Sequence, residues 1–171
     1  MKLLLTLLIL NIMQLLNNQE SNIQKIYFGG GCFWCVEAIF EDVLGVLDVT
    51  SGYAGGDLKN PNYNQVTSGM TKHAEVCEIT YDLSKINLEN LLEIFFLTHD
   101  PTTINRQGND IGYHYRSVIF FNNISEEEII KNYIVKINQV LYENKIVTAV
   151  ERLKGFYEAE EYHQGYYQLN K

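Results

Sequence analysis

Three consecutive glycines, residues 29–31, separate a short apolar segment from a segment with helical periodicity. Residues 25–28, before the glycines, are typical of a strand. After the glycines, apolar residues recur at spacings of three and four, which predicts a helix from Phe33 with one buried face: Val36, Ile39, Phe40, Val43 and Leu44. Gly45 is expected to end this helix. The chain therefore has to turn from a strand into a helix at Cys32, and the glycines permit that turn.

The rest of the chain continues to alternate between strand-like and helical segments. Further strands are predicted at residues 46–53, 74–82, 115–121 and 146–150. Further helices are predicted at residues 87–99, 125–142 and 158–167, separated from the strands in part by polar loops at 57–72 and 100–114. Asn87 is expected to cap the first of these helices, and Ser125 with Glu128 to form a capping box for the second. The order predicts an α+β fold: a single two-layer domain in which helices pack on a mixed β-sheet.

Length and charge exclude several classes of protein. With 171 residues, the chain is long enough for one domain with a sizeable core. Its formal net charge is -8, and Lys and Arg are not clustered into a basic stripe. Since binding to a nucleic-acid backbone depends on such clusters, no nucleic-acid partner is expected. Three cysteines are too few for a disulfide framework that would hold the fold together. We expect the protein to be a monomer.

The first 22 residues differ from the rest and are predicted to be a signal-like apolar leader with a polar spacer, so that the folded domain spans residues 23–171. Met1 and Lys2 precede an apolar run, residues 3–16. This pattern is typical of a secretory signal, and the run is short for a bilayer span of about 20 residues. No small-x-small cleavage site follows. Two interpretations remain open: export, as a periplasmic, secreted or membrane-anchored protein, or an amphipathic extension of a cytoplasmic protein.

Cys32 lies where a nucleophilic cysteine is expected. Backbone N–H groups and the positive end of the helix dipole face a side chain at a helix start, which predicts a lowered pKa for the Cys32 thiol. Cys35 follows one helical turn later, so it could attack an oxidised Cys32. A C-x-x-C pair also occurs in zinc sites, but no second pair has ligand spacing, and no metal is expected. Both cysteines could also be small core residues.

The residues around Cys32 resemble the signature of A-type peptide methionine sulfoxide reductases, since Gly-Cys-Phe-Trp is followed by Glu37. Further segments similar to that family follow in family order: Ser51 to Gly56, Asn62–Tyr63, His73 to Val76, His99 to Thr102, Arg106 to Asp110, Tyr113 to Ser117 and Glu161 to Gln164. The resemblance covers about residues 25–170. Many A-type members carry Gly at the position of Cys35 and recycling cysteines in a C-terminal tail. This chain has no cysteine after Cys77 and is similar to the shorter forms with Cys-Phe-Trp-Cys.

The resemblance implies the reduction of methionine S-sulfoxide, protein-bound or free, to methionine in the repair of oxidised proteins, with residues 23–171 as the catalytic domain. Cys32 would attack the sulfoxide and become a sulfenic acid, which Cys35 would resolve as a disulfide. Thioredoxin or a similar dithiol would then restore both thiols. No bound cofactor is expected.

Three side chains near Cys32 in the family pattern would hold and protonate the substrate. Phe33 and Trp34 would line a pocket for the S-methyl group, because they are expected at the exposed start of the helix. Glu75 would be the acid, since a carboxyl group among aromatic residues has a raised pKa and can pass a proton to the sulfoxide oxygen. From the residues alone, core packing is the less favoured alternative for Phe33 and Trp34, whereas an exposed acid at a strand start is the favoured interpretation of Glu75.

The family pattern also assigns Tyr63, Tyr115 and Asp110. The two tyrosines match residues that donate hydrogen bonds to the sulfoxide oxygen, and Asp110 matches an active-site aspartate. We expect Glu37 to anchor its helix structurally. Cys77 is expected to be a buried core thiol, with a backup resolving role as the alternative.

Two other functions fit parts of the sequence. A thioredoxin-like disulfide oxidoreductase also places C-x-x-C at a helix start, but it requires a proline facing the motif late in the chain. The two prolines, Pro61 and Pro101, lie in other segments of the reductase pattern. A non-catalytic module that holds oxidised methionine would need an unreactive Cys32. The loops at residues 57–72 and 100–113 would frame an open site, which favours protein substrates.

Overall fold

The computed structural model describes residues 22–170, which form one sheet with helices packed on it and a short hairpin. The strands of this part of the chain are β1 (Ile23–Gly30), β2 (Val46–Ala54), β3 (Ala74–Asp82), β4 (Arg106–Gln107), β5 (Asp110–Ile111), β6 (Ser117–Phe121), β7 (Ala149–Arg152) and β8 (Phe156–Glu158). The α-helices are α1 (Phe33–Glu41), α2 (Tyr63–Thr67), α3 (Leu88–Thr98), α4 (Ile124–Leu141) and α5 (Tyr166–Leu169). Residues 113–115 and 161–163 form 3-10 turns.

The sheet is mixed, as the sequence predicts. Its strand order is β7-β6-β1-β3-β2-β8, and β4 pairs with β5 in a separate hairpin. The β6–β7 pair is parallel, and the other pairs in the six-stranded sheet are antiparallel. The predicted α+β class, with a mixed sheet and packed helices, is confirmed.

The core follows from the alternation of side chains along the central strands. One face of the sheet packs with α1, α3 and α4 in the main apolar cluster, whose buried strand residues include Ile26, Phe28, Ile79, Ile119 and Phe121. The intervening residues pack on the opposite face with Phe156 in a smaller cluster: Tyr27, Val76, Val118 and Phe120. Because both faces of β1, β3 and β6 are buried, the ends of these strands form a rigid support for the site.

Helix α1 is shorter than the sequence predicts. It ends at Glu41, with Asp42 as its C-cap, rather than just before Gly45. Leu44, which was expected on the buried face, is 92% exposed. The chain has to turn there so that β2 can begin at Val46, and the Gly45 carbonyl accepts a hydrogen bond from the N–H of Asp82 at 2.8 Å. Pairing with the β3 end therefore overrides the helical periodicity.

The capping box predicted for α4 was placed two residues too late. Asn123, rather than Ser125, is the N-cap, and its side chain accepts a hydrogen bond from the N–H of Glu126 at 3.0 Å. The Glu126 carboxylate accepts in return from the N–H of Asn122 at 2.7 Å and from the Asn123 side-chain amide at 2.8 Å. An amide and a carboxylate thus fill the roles assigned to Ser125 and Glu128.

The C-terminal third differs most from the prediction. The last parallel strand is Ala149–Arg152, displaced from the predicted residues 146–150, and β8 was not predicted. In place of a helix at 158–167, the chain forms the end of β8, a 3-10 turn and the short helix α5. Strand β8 pairs with β2, and such long-range pairing leaves little trace in a three-residue segment.

The two predicted loops contain short elements of their own. Residues 57–72 include α2, which has a capping box between Asn62 and Gln65. Residues 100–114 include the β4–β5 hairpin, and the predicted strand at 115–121 begins only at Ser117.

The predicted leader, residues 1–22, lies almost entirely outside the described residues. Within residues 22–170, no helix is long and apolar enough to cross a membrane.

Candidate active site

Cys32 lies between the end of β1 and the first residue of α1. It occupies the N-cap position of α1, and its side chain makes no capping hydrogen bond. Gly31 before it has φ +98°, and a Cβ atom there would lie 2.6 Å from the side chain of Gln107. Both the backbone angle and this close approach require glycine at residue 31. The strand-to-helix turn predicted at Cys32 is confirmed.

The predicted lowering of the Cys32 pKa is wrong. Burial raises the pKa of the Cys32 thiol to about 12. The backbone N–H groups of Trp34 and Cys35 lower it, as expected at a helix start, but the charge of Glu75 raises it further. Desolvation of a largely buried thiol therefore outweighs the helix terminus, and Cys32 is a thiol at neutral pH.

Glu75, the second residue of β3, lies beside the start of α1. It is 1% exposed, and its Oε2 accepts a hydrogen bond from the N–H of Phe33 at 3.3 Å. Its buried Oε1 has no hydrogen-bond partner among the described residues. Burial raises the pKa of Glu75 to about 8, with a smaller lowering by the Phe33 N–H and a raising by the charge of Asp110. The predicted raised pKa is confirmed, so the carboxyl group is neutral at pH 7.

Tyr63 and Tyr115 lie close to both groups. Burial raises the pKa of each phenol, and the next largest cause in each is the charge of Glu75. The charges of Cys32 and Asp110 raise both as well. Both tyrosines are therefore neutral hydrogen-bond donors at physiological pH. Electrostatic interactions link five residues in one group: Cys32, Tyr63, Glu75, Asp110 and Tyr115.

Each of these residues comes from a different element. Tyr63 begins α2, Glu75 is on β3, Asp110 begins β5 and Tyr115 ends the 3-10 turn before β6. The fold thus brings together, at the start of α1, side chains that are up to 83 residues apart in the sequence.

The two aromatic residues after Cys32 differ in exposure. Trp34 is half-buried, and its ring stacks on Tyr166 with centroids 3.7 Å apart and planes 7° from parallel. Phe33 is fully buried, with its ring 5.1 Å from that of His163 and 6.0 Å from that of Tyr53. The expectation that both lie at an exposed helix start is wrong for Phe33. The C-terminal segment, residues 159–170, covers the first turn of α1.

The other two cysteines have different surroundings. Cys35 is exposed, with its Sγ 3.7 Å from the Tyr167 hydroxyl. Cys77 is fully buried, and its thiol donates a hydrogen bond to the Phe33 carbonyl at 3.3 Å. Burial raises the pKa of Cys77 well above its ordinary value. All three cysteines are free, and the expected core position of Cys77 is confirmed.

Sequence reasoning assigned no role to Glu160, although it supports the site. Its carboxylate accepts a hydrogen bond from the Tyr63 N–H at 2.9 Å and from the Tyr53 hydroxyl at 3.0 Å. Burial raises the pKa of Glu160, but the hydrogen bonds from these two donors and from its own backbone N–H outweigh it, and the net pKa is lowered. Glu160 is therefore a carboxylate that fixes the start of α2.

His163 and Glu37 also contribute in ways that only the packing reveals. The buried His163 ring lies 4.6 Å from that of Tyr63 and 5.4 Å from that of Trp34. Burial lowers its pKa, so it packs as a neutral ring. Glu37 is buried as well, next to the backbone N–H groups of Gly165 and Tyr166. The sequence predicts that Glu37 anchors its own helix; in the structure its carboxyl group connects α1 to the backbone at the start of α5.

Within residues 22–170, no group of three or more His, Cys, Asp or Glu side chains is arranged to hold a metal ion.

Comparison with known proteins adds independent findings. A family model described as peptide methionine sulfoxide reductase matches residues 24–171. The chain is 52% identical over 149 residues to peptide methionine sulfoxide reductase MsrA of Trichodesmium erythraeum, covering 86% of this chain and 84% of the relative. It is 58% identical over 139 residues to the protein of the same name from Nitratiruptor sp., covering 81% and 79%.

Solved structures show the same similarity. Reduced Mxr1 from Saccharomyces cerevisiae superimposes with a TM-score of 0.84 at 35% identity, covering 88% of this chain and 87% of that one. Methionine sulfoxide reductase A of Corynebacterium diphtheriae gives a TM-score of 0.78 at 33% identity, with coverages of 87% and 76%. Mxr1 in complex with Trx2 gives a TM-score of 0.63 at 28% identity, with coverages of 85% and 86%.

Proposed function

The chain belongs to the peptide methionine sulfoxide reductase family of oxidoreductases, and we propose that it reduces methionine S-sulfoxide, protein-bound or free, through a sulfenic acid on Cys32. The observation that carries the proposal is the pairing of a cysteine at a helix start with a buried, neutral carboxyl group at Glu75. A nucleophile and a proton donor are the two groups that the reaction requires.

In the first step, the reacting form of the pair is the Cys32 thiolate with neutral Glu75. The thiolate attacks the sulfoxide, the S–O bond of the substrate breaks, and oxygen is transferred to Cys32 Sγ. The oxygen takes the proton of Glu75, so that methionine leaves, Cys32 becomes a sulfenic acid, and Glu75 becomes a carboxylate. Sulfur of the substrate is reduced and Cys32 is oxidised. The Glu75 Oε1 atom, which lacks a partner among the described residues, suits a proton donor.

Tyr63 and Tyr115 would hold the sulfoxide oxygen. Because their phenols are neutral, each can donate a hydrogen bond that strengthens as negative charge develops on the oxygen. Asp110 acts through its charge, which adds to the larger effect of burial in raising the pKa of Glu75.

Trp34 and Phe33 would bind the S-methyl group together. Trp34 is half-buried and held by its stack on Tyr166, so it can present an apolar face without moving. Phe33 packs behind it, and its N–H orients Glu75. An apolar wall beside a proton donor also excludes water from the sulfoxide.

In the second stage, Cys35 would resolve the sulfenic acid as a disulfide, which a dithiol such as thioredoxin reduces. The exposure of Cys35 and its position one turn after Cys32 support this role. A relative, yeast Mxr1, has been solved in complex with Trx2. No bound cofactor enters this cycle.

We also propose that the leader exports the protein, on the basis of the apolar run at residues 3–16. Fractionation of expressing cells and the mass of the N-terminal peptide test this. Recovery of the protein from the cytoplasm with its first residue intact would contradict export.

The overall function is tested by NADPH consumption in the presence of thioredoxin, thioredoxin reductase and each sulfoxide epimer. We expect consumption with the S epimer, none with the R epimer, and none with a Cys32→Ser variant. Binding of the sulfoxide without NADPH consumption would instead favour a module that only holds oxidised methionine.

A further inference from the structure

Tyr167, near the C-terminal end, lies against the exposed thiol of Cys35. We propose that the Tyr167 hydroxyl is a positioning group for the resolving thiol, holding Cys35 and stabilising its thiolate for attack on oxidised Cys32. This inference rests on the proposed function, because it assumes that Cys35 resolves a sulfenic acid. None of the sequence patterns discussed above assigns a role to Tyr167.

The contact itself is a hydrogen bond between sulfur and a phenol. Cys35 Sγ and Tyr167 Oη are 3.7 Å apart, within the range for sulfur acceptors. This hydrogen bond is the largest cause of a raised pKa for Tyr167, and the charge of Cys35 is the next largest. A phenol that keeps its proton can donate a hydrogen bond to a neighbouring thiolate.

The segment that carries Tyr167 is fastened to the body of the protein on both sides. Before it, the Tyr166 ring stacks on Trp34, and the N–H groups at the start of α5 lie against Glu37. After it, the Gln168 side chain donates a hydrogen bond to Glu41 at 2.9 Å. Tyr167 is therefore held between two anchored residues, and its contact with Cys35 follows from the placement of α5.

The chemistry of the resolving step explains why such a group helps. Cys35 Sγ attacks Cys32 Sγ, a new S–S bond forms, and the S–O bond of the sulfenic acid breaks. The oxygen leaves as water, carrying the sulfenic-acid proton and the proton lost by Cys35. Cys35 is oxidised and Cys32 is reduced to the disulfide level, so the atoms and electrons balance without another reactant. A donor beside Cys35 favours the thiolate, which is the attacking form.

The experiment separates the two steps in a single turnover without reductant. Each enzyme is mixed rapidly with the S-sulfoxide, and methionine release, loss of free thiols and the sulfenic acid trapped by dimedone are followed in time. For Tyr167→Phe we expect a normal methionine burst and disulfide formation slowed by about tenfold, with a longer-lived sulfenic acid. The pH–rate profile of disulfide formation should also move to higher pH, which a purely structural effect would not produce.

The control is Tyr133→Phe, which removes a phenol hydroxyl on α4, packed against Phe96. It should leave both steps as in the wild type. The proposal is overturned if Tyr167→Phe forms the disulfide at the wild-type rate, or faster, with an unchanged pH profile. If the wild type itself releases no methionine, the proposed function fails and this inference fails with it. A normal burst in Tyr167→Phe also shows that the variant is folded.

Discussion

Burial raises the pKa of both reacting groups, Cys32 to about 12 and Glu75 to about 8. The neutral carboxyl group is already in the form that donates a proton, whereas the thiol has to lose one before it attacks. The site therefore holds two protons at neutral pH and must give up the one on Cys32. At the scale of single residues, desolvation sets the resting protonation state more strongly than the helix terminus does.

Alkylation of Cys32 reports its thiolate directly. In a Cys35→Ser background, the rate of iodoacetamide modification at Cys32 should keep rising from pH 7 to 10, since the pKa is about 12, and should rise less steeply near pH 8, where Glu75 becomes charged. Buried Cys77 does not compete, and mass spectrometry of the Cys32 peptide measures the rate. A profile that levels near pH 7 would show that the helix start dominates after all.

Adding Glu75→Gln should speed the reaction only above about pH 8, where the wild-type carboxylate would repel the thiolate.

The pH dependence of the first step follows from the proton count. The reactive form, a Cys32 thiolate beside a neutral Glu75 carboxyl group, carries one proton. Below the Glu75 pKa of about 8, the two side chains together carry two protons. The value of kcat/KM for methionine formation should therefore rise with pH up to about 8 and then stay level. Stopped-flow measurement of the methionine burst gives this profile. A decline through pH 8 would mean that the two-proton form reacts, and would remove the thiolate from the mechanism.

Among single residues, sequence reasoning found those that belong to segments with a recognisable pattern. Glu75, Tyr63, Tyr115 and Asp110 were named in this way, and the structure gathers them around Cys32. No role was predicted for Glu160, or for His163 although it lies in the family-like segment Glu161 to Gln164, because both act through contacts with other side chains that depend on how this part of the chain folds back.

At the scale of elements, side-chain caps fix where the helices start. The N-cap of α4 is Asn123, although Ser125 and Glu128 have the spacing of a capping box. The spacing fits at both places, and the choice depends on where β6 ends and on the buried position of Glu126.

Replacing the cap distinguishes the two starts of α4. Asn123→Ala should lower the free energy of unfolding by about 1 kcal/mol, because it leaves the Glu126 N–H without its side-chain acceptor. For a chain of this length, the melting temperature should fall by about 2–4 °C. The matched variant Ser125→Ala should change little. Equal losses from both, measured by urea or thermal unfolding, would contradict this assignment.

The strands with clear alternation and a long apolar run were predictable, and those defined by distant partners were not. Residues 74–82 were predicted as a strand and form β3 with those bounds. Strand β8 has three residues and exists because Phe156 to Glu158 pair with the end of β2. Its formation depends on the approach of a segment about 100 residues away in sequence, which local propensity does not encode.

At the scale of the whole molecule, the C-terminal segment closes the site. Gln164 connects this segment to β2, since its side chain accepts from the Ser51 N–H and donates to the carbonyls of Ser51 and Ala159, each at 2.9 Å. Glu160 and His163, which both precede Gln164 along the chain, contact Tyr63. The fold therefore couples the stability of residues 160–168 to the shape of the site.

Removing the hydrogen bonds of Gln164 should weaken the packing of the C-terminal segment on β2. Gln164→Ala should destabilise the protein by about 2–3 kcal/mol, because it removes three hydrogen bonds and leaves their backbone partners unsatisfied. The control Gln168→Ala removes an exposed hydrogen bond to Glu41 and should cost about 0.5 kcal/mol or less. Urea unfolding of both variants measures the difference. If both lose the same stability, the C-terminal segment is not held by Gln164.

The central claim is that Cys32 takes the oxygen of the sulfoxide, and single-turnover mass analysis of Cys35→Ser tests it most directly. Mixed with the S-sulfoxide and no reductant, this variant should release about one equivalent of methionine and gain one oxygen on the Cys32 peptide. Cys32→Ser should release none. Methionine formation by Cys32→Ser, or a normal burst from Cys35→Ser with no oxygen on Cys32, would contradict the account.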